Sequence, residues 1–107
     1  MTATPDQILD QLSAIIEDLG SIREQVTESI DRSAINSQIK ALSKWWRKID
    51  LERAKQSGVE MEDAKAALEQ ITQDLSAEKK QLTQVAKAIH RGAQAIAIAE
   101  KVAKTIA

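Results

Sequence analysis

The chain has 107 residues, and its composition excludes several classes of protein. It contains no Cys, Phe or Tyr, one His, one Pro and three Gly, which leaves no disulfide framework, no thiolate or histidine-rich metal centre and no glycine loop for phosphates. Alanine, leucine, glutamine, glutamate, lysine and isoleucine dominate, as they do in long helices. With a formal net charge of −1 and a length that suits one domain, we expect a single all-α domain over residues 1–107 without a cofactor.

The first predicted helix begins at Pro5. Thr4 is a suitable N-cap, Pro5 suits the first helical position, and Gln7 completes a Thr-x-x-Gln capping box. Apolar residues then recur at steps of three and four, which is the heptad pattern of packed helices. They are Ile8, Leu12, Ile15, Leu19, Ile22 and Val26.

A second apolar row follows after a change of register. Because no Gly or Pro lies at the change, the sequence predicts either a break near 31–33, where Asp31 or Ser33 could cap a new helix, or a stutter at 30–34 within one continuous helix. The second row consists of Ile35, Ile39, Leu42, Trp46 and Ile49.

Ser57-Gly58 is the strongest turn signal, because basic residues precede it and acidic residues follow it. From there a seven-residue apolar period continues without interruption and predicts one long helix over 60–107. Since the period reaches the end without a C-cap, the pattern also fits a piece of a longer chain. Its main row is Met61, Leu68, Leu75, Leu82, Ile89, Ile96 and Ala103.

Two arms of similar length, 5–56 and 60–107, favour a long antiparallel, coiled-coil-like hairpin that turns near 57–59. Each arm would be roughly 70–80 Å long at 1.5 Å per residue. The alternatives are a three-helix bundle with a break near 31–33 and a four-helix bundle with a further break near 74–76.

The charge pattern supports the hairpin. Acidic residues dominate 1–31 and 57–78, whereas basic residues dominate 32–56 and 79–107. A turn near 57–59 would place each acidic block beside a basic one. The same register predicts three close approaches: Trp46 against Ala64, Ala66 and Ala67, Gly20 near Ala95, and Gly92 near Arg23.

A lone hairpin would leave much apolar surface uncovered near the chain ends. We therefore expect a dimer that completes a four-helix bundle. Glu78, the charged residue within the apolar period of the second arm, is expected to set the register through Arg32, Gln38 or Lys40. The residues expected to contact the partner are Leu9, Ile16, Trp45, Ile98 and Val102.

Catalysis is not expected from this sequence. The single histidine, His90, has basic neighbours, and acidic pairs such as Asp6 and Asp10 fit solvated helix faces. The mixture of bases and tryptophan around Trp45 is typical of nucleic-acid surfaces, but the slightly acidic chain lacks a nucleic-acid-binding motif. We therefore do not expect nucleic acid as a partner.

The C-terminal segment 85–107 resembles the alanine-rich cationic amphipathic helices that lie on anionic membranes, including those of antimicrobial peptides and helical pore-forming proteins. The resemblance implies membrane association as an alternative function. An acidic helix would pair with the same segment equally well, and residues 6–31 form one. The favoured prediction is a cytoplasmic, non-enzymatic interaction or assembly module that binds its own copy, with another helical protein as a further possible partner.

Overall fold

The structure, a computed structural model, describes residues 4–53 and 59–106. These residues form four helices, so the all-α prediction is confirmed, and the fold is the four-helix bundle that was given as an alternative to the long hairpin. Each predicted arm is divided into two helices, and the four helices of one chain pack as a bundle without a second copy. They are α1 (Pro5–Gln25), α2 (Ser29–Glu52), α3 (Val59–Lys80) and α4 (Val85–Ile106).

Helix α1 begins where the sequence predicts. Thr4 is the N-cap, its hydroxyl oxygen accepts a hydrogen bond from the backbone amide of Gln7, and the Gln7 side chain accepts one from the amide of Thr4. This capping box satisfies amides that have no partner within the helix.

The break between α1 and α2 lies at 26–28 and not near 31–33. Val26 turns into extended backbone while its side chain remains buried, and Glu28 precedes α2 without a side-chain cap. Asp31 and Ser33 lie inside α2, so neither of them caps it. The earlier break places the next core residue at Ile35 and leaves Ile30 81% exposed.

The unbroken second arm is also wrong, because α3 ends at Lys80 and α4 begins at Val85. This break lies later than the alternative position near 74–76. Lys79 and Lys80 occupy the last turn of α3, where positive charge interacts favourably with the helix dipole. The main apolar row changes its burial across this loop, because Leu68 and Leu75 of α3 are fully buried whereas Ile89 and Ile96 of α4 are half-buried. The predicted turn at 57–59 lies mostly outside the described residues.

Side-chain contacts fix the directions of the helices. Asp6 of α1 pairs with Arg53 directly after α2, and Arg23 bonds to Asn36, so α1 and α2 are antiparallel. Thr72 of α3 bonds to Gln11 of α1, and Lys79 pairs with Asp18 further along both helices, so α1 and α3 are parallel.

Helices α3 and α4 are antiparallel, and α2 therefore runs parallel to α4. In cross-section α1 lies between α2 and α3, and α4 completes the square beside them. The Cα atoms extend over 42 × 23 × 16 Å with a radius of gyration of 13.6 Å. These values contradict arms of 70–80 Å and agree with the roughly 13 Å expected for a globular chain of this length.

The core combines large residues on one diagonal helix with small residues on the other. The core row of α1 contains only isoleucine and leucine at full burial, whereas α4 contributes mostly small residues. Small residues let helix backbones approach closely, and α1 and α4 make contact across the diagonal whereas α2 and α3 hardly meet. The buried small residues of α4 are Ala88, Gly92, Ala95, Ala99 and Ala103.

Candidate interaction surfaces

An open groove lies on the outer face between α1 and α2, and we call it the Ile16–Trp46 groove. Ile16 and Trp46 are half-buried, whereas Glu17 and Arg47 are exposed at the rim. The groove has a volume of about 410 Å³, and Ser13 and Ser43 complete its lining. An apolar floor with a polar rim is the usual composition of a protein interface.

Trp46 is held in this groove by hydrogen bonds to α1. Its Nε1 donates to the carbonyl oxygen of Leu9 at 3.1 Å and to the hydroxyl oxygen of Ser13 at 2.9 Å. The prediction that Trp46 faces Ala64, Ala66 and Ala67 is therefore wrong. It followed from the hairpin register, whereas the loop at 26–28 turns α2 back onto α1.

The face of α1 and α2 is divided by charge. The outer row of α1 is acidic, the outer row of α2 is basic, and both rows have the spacing of three, four and seven residues that places side chains on one side of a helix. We call them the acidic row and the basic row. The acidic row contains Asp6, Asp10, Glu17 and Glu24, and the basic row contains Lys40, Lys44 and Arg47, all exposed.

A second groove, here called the Ile98 groove, lies on the opposite face between α3 and α4. It has a volume of about 420 Å³, and Ala64, Ala67, Ile98, Val102 and the basic Lys101 contribute to its lining. A further hollow continues it past Ile71 and Ala97. Short alanine side chains line much of this groove, whereas the large side chains of Ile16 and Trp46 form the floor of the groove between α1 and α2.

Glu78 lines a separate hollow near the loop between α3 and α4, together with Lys87, His90 and Arg91. Its Oε2 atom is buried and has no hydrogen-bond partner among the described residues. Helix α3, which carries Glu78, hardly meets α2, which carries the residues predicted to contact it. The register-setting role of Glu78 stays a prediction.

Gln38 is a polar core residue that the sequence pattern did not indicate. It is 8% exposed, and its Nε2 donates to the carbonyl oxygen of Ile89 at 2.6 Å. A Cβ at position 92 would collide with the Gln38 side chain, so Gly92 provides the space for this amide. The predicted close approach at Gly92 thus involves Gln38 and not Arg23.

The sequence feature that indicates the burial of Gln38 is its spacing from the other buried residues of α2. Ile35, Gln38, Leu42 and Ile49 share one heptad row and are buried, whereas Ile39 and Trp46, which the prediction placed in the core, are half-buried. The prediction placed Ile39 and not the adjacent Gln38 in the core because it considered apolarity alone.

The predicted partner-contacting residues lie in different environments. Leu9 and Val102 are each 4% exposed and belong to the core of the chain, so their side chains are covered without a partner. Ile16 and Ile98 are half-buried in the two grooves on opposite faces. Trp45 is half-buried against the core, and the Nζ of Lys44 lies 4.9 Å from its ring centroid. The structure therefore does not gather these residues on one surface.

A buried carboxylate connects α1 to α3. Asp18 is 6% exposed, and its Oδ1 lies 2.9 Å from the Nζ of Lys79. The hydrogen bond and the charge of Asp18 raise the pKa of Lys79 above its ordinary value of 10.5, against a smaller opposing effect of desolvation, and Glu17 raises it further. The charge blocks predicted that the acidic residues of 1–31 lie beside the basic residues of 79–107. They did not predict that Asp18 is buried.

The described residues contain no group of three or more His, Asp or Glu side chains placed to hold a metal ion. His90 is exposed and close to basic side chains. Within the same part of the chain, no helix combines the length and apolarity needed to cross a membrane.

The chain matches no known protein family, no curated protein and no solved structure.

Proposed function

We propose that this chain is a non-enzymatic helical interaction module that associates with its own copy. The observation that carries the proposal is the Ile16–Trp46 groove, an apolar floor on an outer face between an acidic and a basic row. The four helices bury their core without covering this groove, so the groove is available to a partner.

The residue types in the groove support a binding role. Tryptophan and arginine are enriched among the residues that contribute most to protein interfaces, and Trp46 and Arg47 both line the groove. Two hydrogen bonds hold the indole of Trp46 in place, so little conformational entropy is lost when a partner covers it. A rigid aromatic floor with a charged rim is suited to another protein surface.

Membrane association through 85–107 has less support. The apolar side of α4 is buried against the rest of the bundle, while Lys87, Lys101 and Lys104 are exposed. Membrane binding by the apolar side would require α4 to leave the bundle, and that step would expose the core rows of the other helices.

Sedimentation velocity over a wide range of protein concentrations tests the proposal. We expect the native chain to form dimers as its concentration rises and an Ile16→Lys variant to remain monomeric. Ile98→Lys is the matched control, because it places the same charge in the groove of the opposite face and should leave the dimer intact. Circular dichroism of each variant confirms that the helices are retained. A native chain that remains monomeric at every concentration would overturn the proposal.

A further inference from the structure

The face of α1 and α2 is complementary to a second copy of itself, an inference that rests on the proposed self-association. Glu17 of the acidic row and Arg47 of the basic row line the Ile16–Trp46 groove from its two sides, and helical spacing places the other members of each row on the same outer sides of α1 and α2. A partner with one sign of charge would attract one row and repel the other. A partner with the same two rows can satisfy both.

Symmetry allows two ways to stack this face on its copy. A two-fold axis perpendicular to the helices would place α1 on α1 and oppose acid to acid. A two-fold axis parallel to the helices would place α1 of each copy over α2 of the other, so that acid opposes base twice. Like charges in contact cost several kcal/mol, and therefore only the parallel axis is compatible with these rows. Closed two-fold dimers are also the commonest symmetric assembly.

Rotation about a two-fold axis parallel to the helices does not change the position of a residue along the helix direction. The positions of the charged residues along α1 and α2 agree with this arrangement. The Asp6–Arg53 and Arg23–Asn36 contacts show which levels of α1 and α2 correspond within one chain. If these contacts mark equal heights along the bundle axis, Asp10 lies about 3 Å, or two residues, from the height of Arg47. Glu17 lies the same distance along the axis from the height of Lys40. Both acid–base pairs of the dimer therefore come within reach.

The centre of the face also suits its own copy. Under the parallel axis the two Ile16–Trp46 grooves lie opposite each other, so apolar floor covers apolar floor. Gly20 lies on the same face, and a Cβ built there would meet no atom within 4 Å. The missing side chain leaves room for a neighbouring helix to approach.

We propose that a second copy of this chain docks on the face of α1 and α2 around a two-fold axis parallel to the helices. Two helices about 30 Å long and together about 20 Å wide offer roughly 600 Å² per copy, or about 1,200 Å² in total. This area lies at the lower end for specific complexes. The dimer therefore forms reversibly, depends on concentration and weakens as salt screens the charges.

A charge exchange tests this arrangement. One variant carries Asp10→Lys and Glu17→Lys, and the other carries Lys40→Glu and Arg47→Glu. We expect each variant alone to dimerise about a hundredfold more weakly than the native chain or worse, because like charges then meet along both contact lines. An equimolar mixture should form a heterodimer, because acid then opposes base along both lines again.

Matched controls on the opposite face are Glu62→Lys with Asp63→Lys, and Lys87→Glu with Lys101→Glu. These four residues are exposed, so the same changes in net charge should leave the homodimer intact. Two results would overturn the inference: variants of the face of α1 and α2 that dimerise like the native chain, or a mixture of them that stays monomeric. If native dimers form but the charge variants have no effect, only this inference fails. If the native chain itself is monomeric, the proposed self-association fails with it.

Discussion

The two hairpins of the bundle are held together in different ways. In the hairpin of α1 and α2, side chains connect the helices at three levels: Asp6 to Arg53, Trp46 to Leu9 and Ser13, and Arg23 to Asn36. In the hairpin of α3 and α4, the Arg91–Asp74 pair at 3.3 Å joins the helices, and the alanine-lined Ile98 groove separates their outer sides.

The difference shows that alanine has two opposite effects in this chain. Facing the core, the alanines of α4 allow the large residues of α1 to approach across the diagonal. Facing outwards, Ala64 and Ala67 leave the second hairpin with an open groove. The groove of the first hairpin has a similar volume, but its floor is formed by the large side chains of Ile16 and Trp46. Close contact within the core and open space at the surface thus come from the same residue type.

The large core row of α1 gives the largest expected effect. Leu12 is fully buried, so Leu12→Ala should lower the free energy of unfolding by about 2–5 kcal/mol, because it removes buried methyl groups and leaves a cavity. Urea denaturation measures the loss. Leu51→Ala is the matched control, because Leu51 is 80% exposed and its truncation should change stability by less than about 0.5 kcal/mol. Equal losses at the two positions would contradict the described core.

The cross-link made by Trp46 gives the next largest effect. Trp46→Phe removes the indole donor that bonds to Leu9 and Ser13, and it should cost about 1–2 kcal/mol. The adjacent Trp45→Phe should cost less than about 1 kcal/mol, because a phenyl ring can still lie beside the Lys44 ammonium. Thermal unfolding monitored by circular dichroism compares the two variants. A larger loss for Trp45→Phe would reverse the assignment of the two tryptophans.

Alanine substitutions at the two glycines of the described helices, Gly20 and Gly92, should change stability by less than the Trp46 substitution. The two positions should respond differently. Gly20→Ala should stabilise α1 by roughly 0.5–1 kcal/mol, because alanine has the higher helix propensity and its Cβ has open space. Gly92→Ala should lack most of this gain, because its Cβ displaces Gln38 from the Ile89 carbonyl. Denaturation is measured at concentrations where the chain is monomeric. In a Gln38→Ala background Gly92→Ala should become favourable, and a benefit of Gly92→Ala in the native background would contradict the contact.

The ion pair between the two hairpins gives the smallest effect, and its pH dependence has a defined sign. Because the pKa of Lys79 in the folded chain is raised above 10.5, its stabilising contribution is complete below the unfolded pKa and is lost as pH rises through the folded pKa. Lys79→Met should therefore be less stable than the native chain near neutral pH, and the difference should shrink above pH 10.5. Lys80 is the exposed neighbour, so the stability difference between Lys80→Met and the native chain should not shrink in this way. A stability difference for Lys79→Met that grows with pH would contradict the ion pair.

The sequence predicted the start of α1 and its core row, because capping and heptad spacing are local properties. It did not predict the loop at 81–84, because the seven-residue spacing of Leu75, Leu82 and Ile89 continues through a segment without Gly or Pro. The loop at 26–28 was placed too late, since Val26 and the two residues after it include no Gly or Pro to mark it. Periodicity reports which side of a helix is buried and does not report how many helices share it.

The surfaces were predicted only in part, for a related reason. Ile16 and Ile98 were expected at an interface and lie in open grooves, but those grooves are on opposite faces. Which helices become neighbours depends on the loops, so the pairing of acidic α1 with basic α2 on one face could not be derived from charge blocks alone. Gln38 was missed because its role requires the absent side chain of Gly92 on another helix.

Cysteine cross-linking tests the central claim, self-association through the face of α1 and α2, most directly. The native chain has no Cys, so Ser43→Cys places a single thiol at the Ile16–Trp46 groove, and Ala97→Cys places one beside the Ile98 groove. Under a two-fold axis parallel to the helices, position 43 of one copy lies close to position 43 of the other. With a short bis-maleimide reagent we expect a covalent dimer from Ser43→Cys and monomer from Ala97→Cys. Monomer from Ser43→Cys, or efficient cross-linking of Ala97→Cys alone, would contradict the claim.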